Sequence, residues 1–408
     1  MKAYYQIYHK IEDLNHILFI YKTQISPHTK NKYKIERFEE YFMCNITNVQ
    51  ALLKHQNIVF QPYFIFLIQE PKYRIIMSQT IRDKLINHLV AQYLLLDIYE
   101  SSFIDANVAT RIDKGTHYGI ELTKRYIHEL KKSGETIYYL KCDISKYFYS
   151  IDHEILKSIL EKKIKDEKAL RLIHKIVDST NESYIPLRIQ KMKELEIERI
   201  RNLNIPENEL QKKIKEIEKI PDFSCKGKGI PIGNMTSQAF ALIYLNDLDH
   251  FIKEKLHVKY YVRYMDDFVL FSTDKEFLKQ CKSIIEKKLN EEYHLQLNPK
   301  TKISPMKNGL DFLGFRFILK NQKLLLKVRT STKRRAKRKV KKLNQLYTKK
   351  EISRYTLQQV VASYQGHIKY GNTYYLQQKI FHHISNPTTE YIGKLICINR
   401  RGSTYYQK

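Results

Sequence analysis

The chain has 408 residues, with 72 basic against 43 acidic side chains and a formal net charge of +29. That length is too great for one compact core and suits two or three subdomains, while so large a basic excess needs a polyanion to explain it. No run approaches the roughly 18 apolar residues of a membrane span, and the N-terminus has no long apolar stretch, so neither insertion nor export is expected.

In chain order, residues 1 to about 58 are polar and helix-prone, and read as an N-terminal extension that binds RNA, in keeping with the basic excess, or a partner. Tyr138-Tyr-Leu-Lys-Cys-Asp143 is an apolar strand that delivers an acid at its end; a turn with Tyr147 and Phe148 follows, then a helix from about His153 to Lys163. Residues 185 to 224 are rich in Lys and Glu. Leu210, Ile214 and Ile217 lie at helical spacing with Pro206 as a break, which predicts two amphipathic helices.

Next comes Lys226-Gly-Lys-Gly-Ile-Pro-Ile-Gly-Asn-Met-Thr-Ser-Gln238, a Gly-rich loop whose backbone can approach a ligand closely, or a plain strand-to-helix connection. Asn234, Thr236 and Ser237 can cap the helix after it, with Phe240, Ile243, Tyr244 and Leu248 on its buried side. Tyr260 to Tyr264 and Phe268 to Phe271 are β-branched and aromatic, so they form a strand-turn-strand hairpin with Met265, Asp266 and Asp267 at its tip. The adjacent acids are either ordinary turn residues or a pair held by cations, since ionised carboxylates this close repel. Hard oxygen ligands suit Mg²⁺, and paired Mg²⁺ ions suit in-line phosphoryl transfer.

Lys333-Arg-Arg-Ala-Lys-Arg-Lys-Val-Lys-Lys342 is uninterrupted by acid and helix-compatible; it reads as a helix tracking a phosphate backbone, with Lys333, Arg334, Arg335 and Arg338 as contacts. The 31 Tyr residues are compatible with base stacking, though most belong to cores. Cys44, Cys142, Cys225, Cys281 and Cys397 show no Cys-x-x-Cys spacing, and read as reduced thiols rather than a zinc site.

Asp143 with Phe148 five residues on, the Gly-rich loop and helix, and the later Tyr-Met-Asp-Asp resemble motifs A, B and C of reverse transcriptases, in their usual order. Glu70 to Leu85 resembles the fingers motif that precedes motif A, and Lys72 or Arg74 can then reach a nucleotide triphosphate, for which Arg's planar fork suits bidentate contact. Asp113-Lys-Gly-Thr-His117 resembles a template-facing loop (Gly115, Thr116, His117). Leu297 to Ile303 and Gly309 to Phe317 resemble motif D, with Lys300 as a general acid toward pyrophosphate, and the primer-grip hairpin with Leu313 and Gly314. Ser363 to Asn372 is similar to the family's thumb element, although Gly371 and Asn372 replace the more usual His-Ala. The resemblance covers roughly residues 60 to 380.

The resemblance implies an α+β right-hand polymerase: extension 1–58, fingers 59–137, palm 138–320 with antiparallel sheet and helices on one face, its insertion at 185–224, and an α-helical thumb and basic C-terminal region 321–408. Asp143, Asp266 and Asp267, with the carbonyl of Ile144, hold two Mg²⁺ ions, with Mn²⁺ as a substitute. Tyr147, Phe148, Ile232, Gly233 and Gln238 contact the nucleotide, Phe148 colliding with a 2′-hydroxyl, and Asn234 supports the template. Partners are template RNA, cDNA or primer, and dNTPs.

The Ile-Gly-Asn-x-Thr-Ser-Gln form is similar to the enzymes of diversity-generating retroelements, which implies loose base selection, errors at adenines and a small basic accessory protein. The alternatives are a group II intron-like or phage-defence enzyme serving a non-coding RNA and, from another class, a non-catalytic RNA-binding scaffold. The implied setting is a bacterial or phage-encoded protein of the cytoplasm. No internal repeat, RNase H acid cluster or zinc-finger endonuclease is evident.

Overall fold

The computed structural model describes residues 2–69 and 72–381. Cys397, the residues after 381, and Glu70 and Pro71 of the fingers motif lie outside them. Among the described residues, three antiparallel sheets organise the fold. Strands β1 (Phe64–Gln69) and β2 (Tyr73–Ser78) form a hairpin. Strands β3 (Tyr138–Asp143), β4 (Tyr260–Tyr264), β5 (Asp267–Ser272) and β6 (Lys302–Pro305) form a central sheet in the order β4-β5-β3-β6. Strands β7 (Leu310–Phe312), β8 (Phe315–Lys320) and β9 (Lys323–Val328) form a meander beside it.

Helices brace the central sheet for reasons local to their sequences. Lys275–Tyr293 starts where Asp274 accepts a hydrogen bond from the Phe277 amide at 3.0 Å, as a carboxylate N-cap does. Its buried Leu278, Cys281, Ile285 and Leu289 recur at the helical period, and it stops at His294, which sits in the left-handed region (φ 52°). This helix packs on β3, β5 and β6, while Thr116–Lys131 packs on β4 and β5. His153–Lys163 forms over the expected span, capped by Asp152. Three helices, Thr330–Thr348, Arg354–Ile368 and Tyr374–Phe381, follow β9. They are spliced to it by Asn372, whose amide donates to the Leu326 carbonyl and whose side-chain oxygen accepts from the Leu326 amide, both at 2.8 Å.

The insertion folds as two helices, Tyr184–Arg201 and Glu207–Glu218, with Pro206 at the break. Its packing is less expected. Ile185, Ile189, Ile200, Ile214 and Ile217 form a second apolar core with Tyr63, Ile65, Tyr73, Ile75 and Met77, separate from the main core under the central sheet. In sequence the insertion falls between β3 and β4; in space it backs the β1–β2 hairpin. Tyr184 reinforces the contact by accepting the Tyr63 amide at 2.8 Å. Cys44, Cys142, Cys225 and Cys281 are free thiols, and no helix among the described residues is long and apolar enough to cross a membrane.

Candidate active site

The acidic residues converge through strand register. Asp143, the last residue of β3, is paired directly with Asp267, the first of β5, and directly paired side chains on one face lie about 5 Å apart. Tyr264 pairs with Asp267 across the β4–β5 hairpin, so Met265 and Asp266 make a two-residue turn. Asp267, expected as the last residue of the turn, is therefore the first residue of the strand. Met265 takes the positive φ (57°) that such a turn needs, a conformation that costs a residue with a Cβ roughly 1–2 kcal/mol.

The strain is held from inside. Arg263 is fully buried and pairs with the equally buried Asp249 through Nε at 2.7 Å and Nη2 at 2.6 Å. Its Nη1 donates to the Met265 carbonyl at 3.0 Å, and Tyr261 donates to Asp249 at 2.7 Å. A two-pronged guanidinium with all three nitrogens engaged tolerates such burial, whereas one missing partner would leave an uncompensated charge.

The surroundings of the acids are electrostatically divided. Burial pushes the Asp266 carboxyl up to about 6, with Asp143 adding to the rise and Arg74 opposing it. Asp267 is also raised to about 6, first by burial; Lys141 pulls it down and the other two acids push it up. Lys141 lies two residues before Asp143, hence on the same strand face. Its ammonium donates to Asp267 Oδ2 at 3.1 Å and to the Asp311 carbonyl at 2.7 Å. Asn298 donates from its side chain to Asp143 Oδ2 at 3.0 Å and from its amide to the Asp143 carbonyl at 2.7 Å.

Among the described residues, no three His, Cys, Asp or Glu side chains are drawn into a ready-made metal cage. Asp143 and Asp267 instead have separate partners, neutral Asn298 and cationic Lys141, as like-charge repulsion favours. The donor set still suits a hard divalent cation, being all carboxylate oxygen. Asp267 Oδ1 is buried with no hydrogen-bond partner, and a hard cation would satisfy it.

The loop and helix of the Gly-rich segment are stitched to the same corner. The Ile230 amide donates to the Phe148 carbonyl and the Gly229 amide to the Ile151 carbonyl, both at 2.8 Å, and the Met77 amide donates to the Ile232 carbonyl at 3.0 Å. At Gly233 (φ 126°) a Cβ would lie 3.2 Å from the Met77 carbonyl, so β2 and the loop approach as closely as they do because the residue is glycine. Arg74 is exposed on β2 and acts on Asp266, whereas Lys72 is exposed just before the strand.

Two expected site residues, Tyr147 and Asn234, turn their polar atoms into the protein. Tyr147 is buried (2% exposed) and donates its hydroxyl to the Ala241 carbonyl at 2.6 Å; its ring faces the core, edge-on to half-buried Phe148, rather than the cleft. Asn234 stands at the cap position of the helix Met235–Tyr244, yet makes no side-chain cap bond. It is buried and donates to the Tyr63 hydroxyl at 3.1 Å, so it ties the loop to the β1 region and is not open to a template. Thr236 likewise turns away, to Asn87 at 2.7 Å. Lys300 is exposed, and its amide donates to the Asn298 side chain at 3.0 Å. Ile144 is buried beside Leu297 through a β-bridge, and Gln238 is half-buried one turn into the helix.

The other nucleic-acid candidates gather in a second group. Gly115 leads into the helix Thr116–Lys131, and His117 stacks on Tyr370, in the turn between Arg354–Ile368 and Tyr374–Phe381, at 3.7 Å between ring centres. Leu313 and Gly314 form the β7–β8 turn, both at positive φ. A Cβ on Gly119 would lie 2.6 Å from Leu313, which fixes this turn against the Gly-Thr-His helix. Arg334, Arg335 and Arg338 are exposed on Thr330–Thr348, and Lys333 is half-buried there.

The paired strand-end acids, on an antiparallel sheet flanked by a glycine-rich loop and a basic helical arm, define a polymerase palm. The model of the family described as reverse transcriptase (RNA-dependent DNA polymerase) matches residues 68–317, more than half of the chain, and the chain belongs to that family. Among curated proteins it is similar to Protein YkfC of Escherichia coli (strain K12), 22% identical over 282 residues that represent 60% of this chain and 62% of that protein. The chain thus spans under two thirds of the length of this relative. Among solved structures, it is similar to telomerase from Candida albicans in complex with a TWJ fragment of telomeric RNA: 14% identity, TM-score 0.42, 85% of this chain and 67% of that one. It is also similar to apo telomerase from Candida tropicalis: 16% identity, TM-score 0.38, 65% and 48% of the two chains.

Proposed function

We propose that this chain is an RNA-directed DNA polymerase that makes cDNA on a template RNA, with Asp143, Asp266 and Asp267 as its catalytic carboxylates. The observation that carries the reading is the direct pairing of Asp143 with Asp267, with Asp266 at the adjoining turn, inside the span that matches the family. Two Mg²⁺ ions bound to these carboxylates and the Ile144 carbonyl would lower the pKa of a primer 3′-hydroxyl and neutralise charge on departing pyrophosphate. Arg74 holds the triphosphate near Asp266, and Lys72 extends the same basic edge. Phe148, anchored through its carbonyl to Ile230, excludes a 2′-hydroxyl, so deoxynucleotides are selected. Lys300 supplies a proton to pyrophosphate. The turn Leu313–Gly314, the Gly115 to His117 element and the basic helix hold primer and template.

The finer reading is an error-prone enzyme of a diversity-generating retroelement with a small basic accessory protein, supported by Ile232 in the Gly-rich loop, where an apolar side chain replaces a polar contact near the nucleotide. The helical insertion favours a second reading, a phage-defence or group II intron-like enzyme working on a non-coding RNA. Purified D266A/D267A protein should incorporate no dNTP on a primed RNA template in Mg²⁺. Retained extension would sink the polymerase reading. Sequencing cDNA made on a neighbouring non-coding RNA separates the finer readings: errors at adenines favour the retroelement, faithful or template-free products the other.

A further inference from the structure

A groove of about 390 Å³ lies where the N-terminal extension meets the β1–β2 hairpin. Lys34 and Arg37 enter it from the helix Lys32–Glu39, Asn48 from Phe42–Lys54, Phe64 from β1, and Gln79 and Arg82 from the segment after β2. No carboxylate lines it. Phe64 is 64% exposed at the start of a strand, an unusual position for a bare aromatic face, and the Lys34 ammonium stands 5.5 Å from its ring centre. Arg82 is held in place: Nε donates to Asp83 Oδ1 at 2.8 Å and Nη2 to the Val59 carbonyl at 2.6 Å. The Asp83 carboxylate that fixes it is itself buried, and also accepts the Gln61 amide at 2.8 Å.

We infer that this groove binds single-stranded RNA, with phosphates against Lys34, Arg37 and Arg82 and one base stacked on Phe64. Lys34 and Arg37 are three residues apart and share one helix face, so a backbone can engage both. A flat aromatic surface beside a cationic track is the combination that single strands use, because every base has a stacking face and every nucleotide a charge. A duplex would offer no free base to Phe64. Lys34, Arg37, Asn48 and Phe64 precede the span that matches the family, while Gln79 and Arg82 lie within it, so the groove sits at the junction of the extension with the matched span. It rests on the reading of the chain as an enzyme that copies RNA, and gives the extension the role of holding template outside the palm.

The test is fluorescence anisotropy with the full chain and a fluorescein-labelled single-stranded oligouridine, without dNTP or divalent cation. K34E/R37E should weaken binding at least about tenfold and reduce the salt slope by about two, one per lost phosphate contact. F64A should weaken it by about five- to a hundredfold, the range for losing one stacked base. Wild-type protein cross-linked to RNA carrying 4-thiouridine should yield adducts within residues 32–48 or 62–82. Unchanged affinity in both variants, or adducts confined to other segments, overturns the proposal. D266A/D267A should bind the oligomer as wild type does, so failure of the groove and failure of the polymerase reading are separate results.

Discussion

Arg263 donates to the Met265 carbonyl from a position with no exposure to solvent, so the turn that carries the acidic pair is set by a charge inside the palm. Removing the guanidinium would release the turn and leave Asp249 buried and unpaired. R263A should lose about 3–5 kcal/mol of stability by chemical denaturation, the usual cost of breaking a buried pair from one side. R263M/D249L should regain most of that stability, because no isolated charge remains. It should still be defective in dNTP incorporation, since nothing then holds the Met265 carbonyl.

Lys141 draws Asp267 downward against the push of burial and of the neighbouring acids. In K141M the carboxyl should therefore ionise at a higher pH. The acidic limb of the dNTP incorporation profile should move up by on the order of one pH unit, the effect of an opposite charge at this range. K141R should leave the limb near its original place. An unshifted limb in K141M would show that another group controls the acidic side of the profile.

Asp266 and Asp267, both raised to about 6, start from an ordinary carboxylate value near about 4. A group whose folded value is raised stabilises the fold most below its unfolded value and loses that contribution as pH rises through the folded one. The metal-free protein should therefore lose thermal stability between about pH 4 and pH 6 to 7 on account of this pair. D266N/D267N removes both titrations, so the melting temperature of wild type relative to this variant should fall across that window in EDTA. Added Mg²⁺ should restore wild type at neutral pH and leave the variant unmoved.

Phe148 is half-buried, with its backbone held by Ile230 through its carbonyl and its ring edge-on to Tyr147, and on the proposed reading this ring collides with a 2′-hydroxyl. F148A should raise ribonucleotide relative to deoxynucleotide incorporation by roughly tenfold to a hundredfold, the scale of relieving one steric clash in a pocket. Single-nucleotide insertion with matched dNTP and rNTP reads the ratio directly.

The legible parts of this chain were those with local signals. The β4–β5 hairpin, the His153–Lys163 helix behind its Asp152 cap and the two insertion helices follow from alternation, capping and helical spacing. The neighbours of the acids were not local. Lys141 meets Asp267 across 126 positions and Asn298 meets Asp143 across 155. Strand periodicity does put Lys141 on the face of Asp143, and Asn298 lies two residues before Lys300 in the Leu297 to Ile303 segment. Tyr147 and Asn234 mislead for the opposite reason: their types suit a nucleotide cleft, but packing with Ala241 and Tyr63 claims their polar atoms. Nothing in the alternating Lys and Glu of residues 185 to 224 says which sheet their isoleucines will cover.

That last packing has a functional consequence. Ile217 is fully buried in the core shared by the insertion and β2, and Arg74 lies on that strand between the buried Tyr73 and Ile75. I217A should cost about 2–5 kcal/mol where the cavity opens, and the loss should fall on the β1–β2 hairpin because the main core is separate. Hydrogen exchange should accelerate in β1, β2 and the insertion helices, and stay unchanged in β3 and β5. Arg74 would then be less well ordered beside Asp266, so KM for dNTP should rise by more than kcat falls. An equal loss of protection in β3 and β5 would mean that the insertion supports the palm directly, not the hairpin.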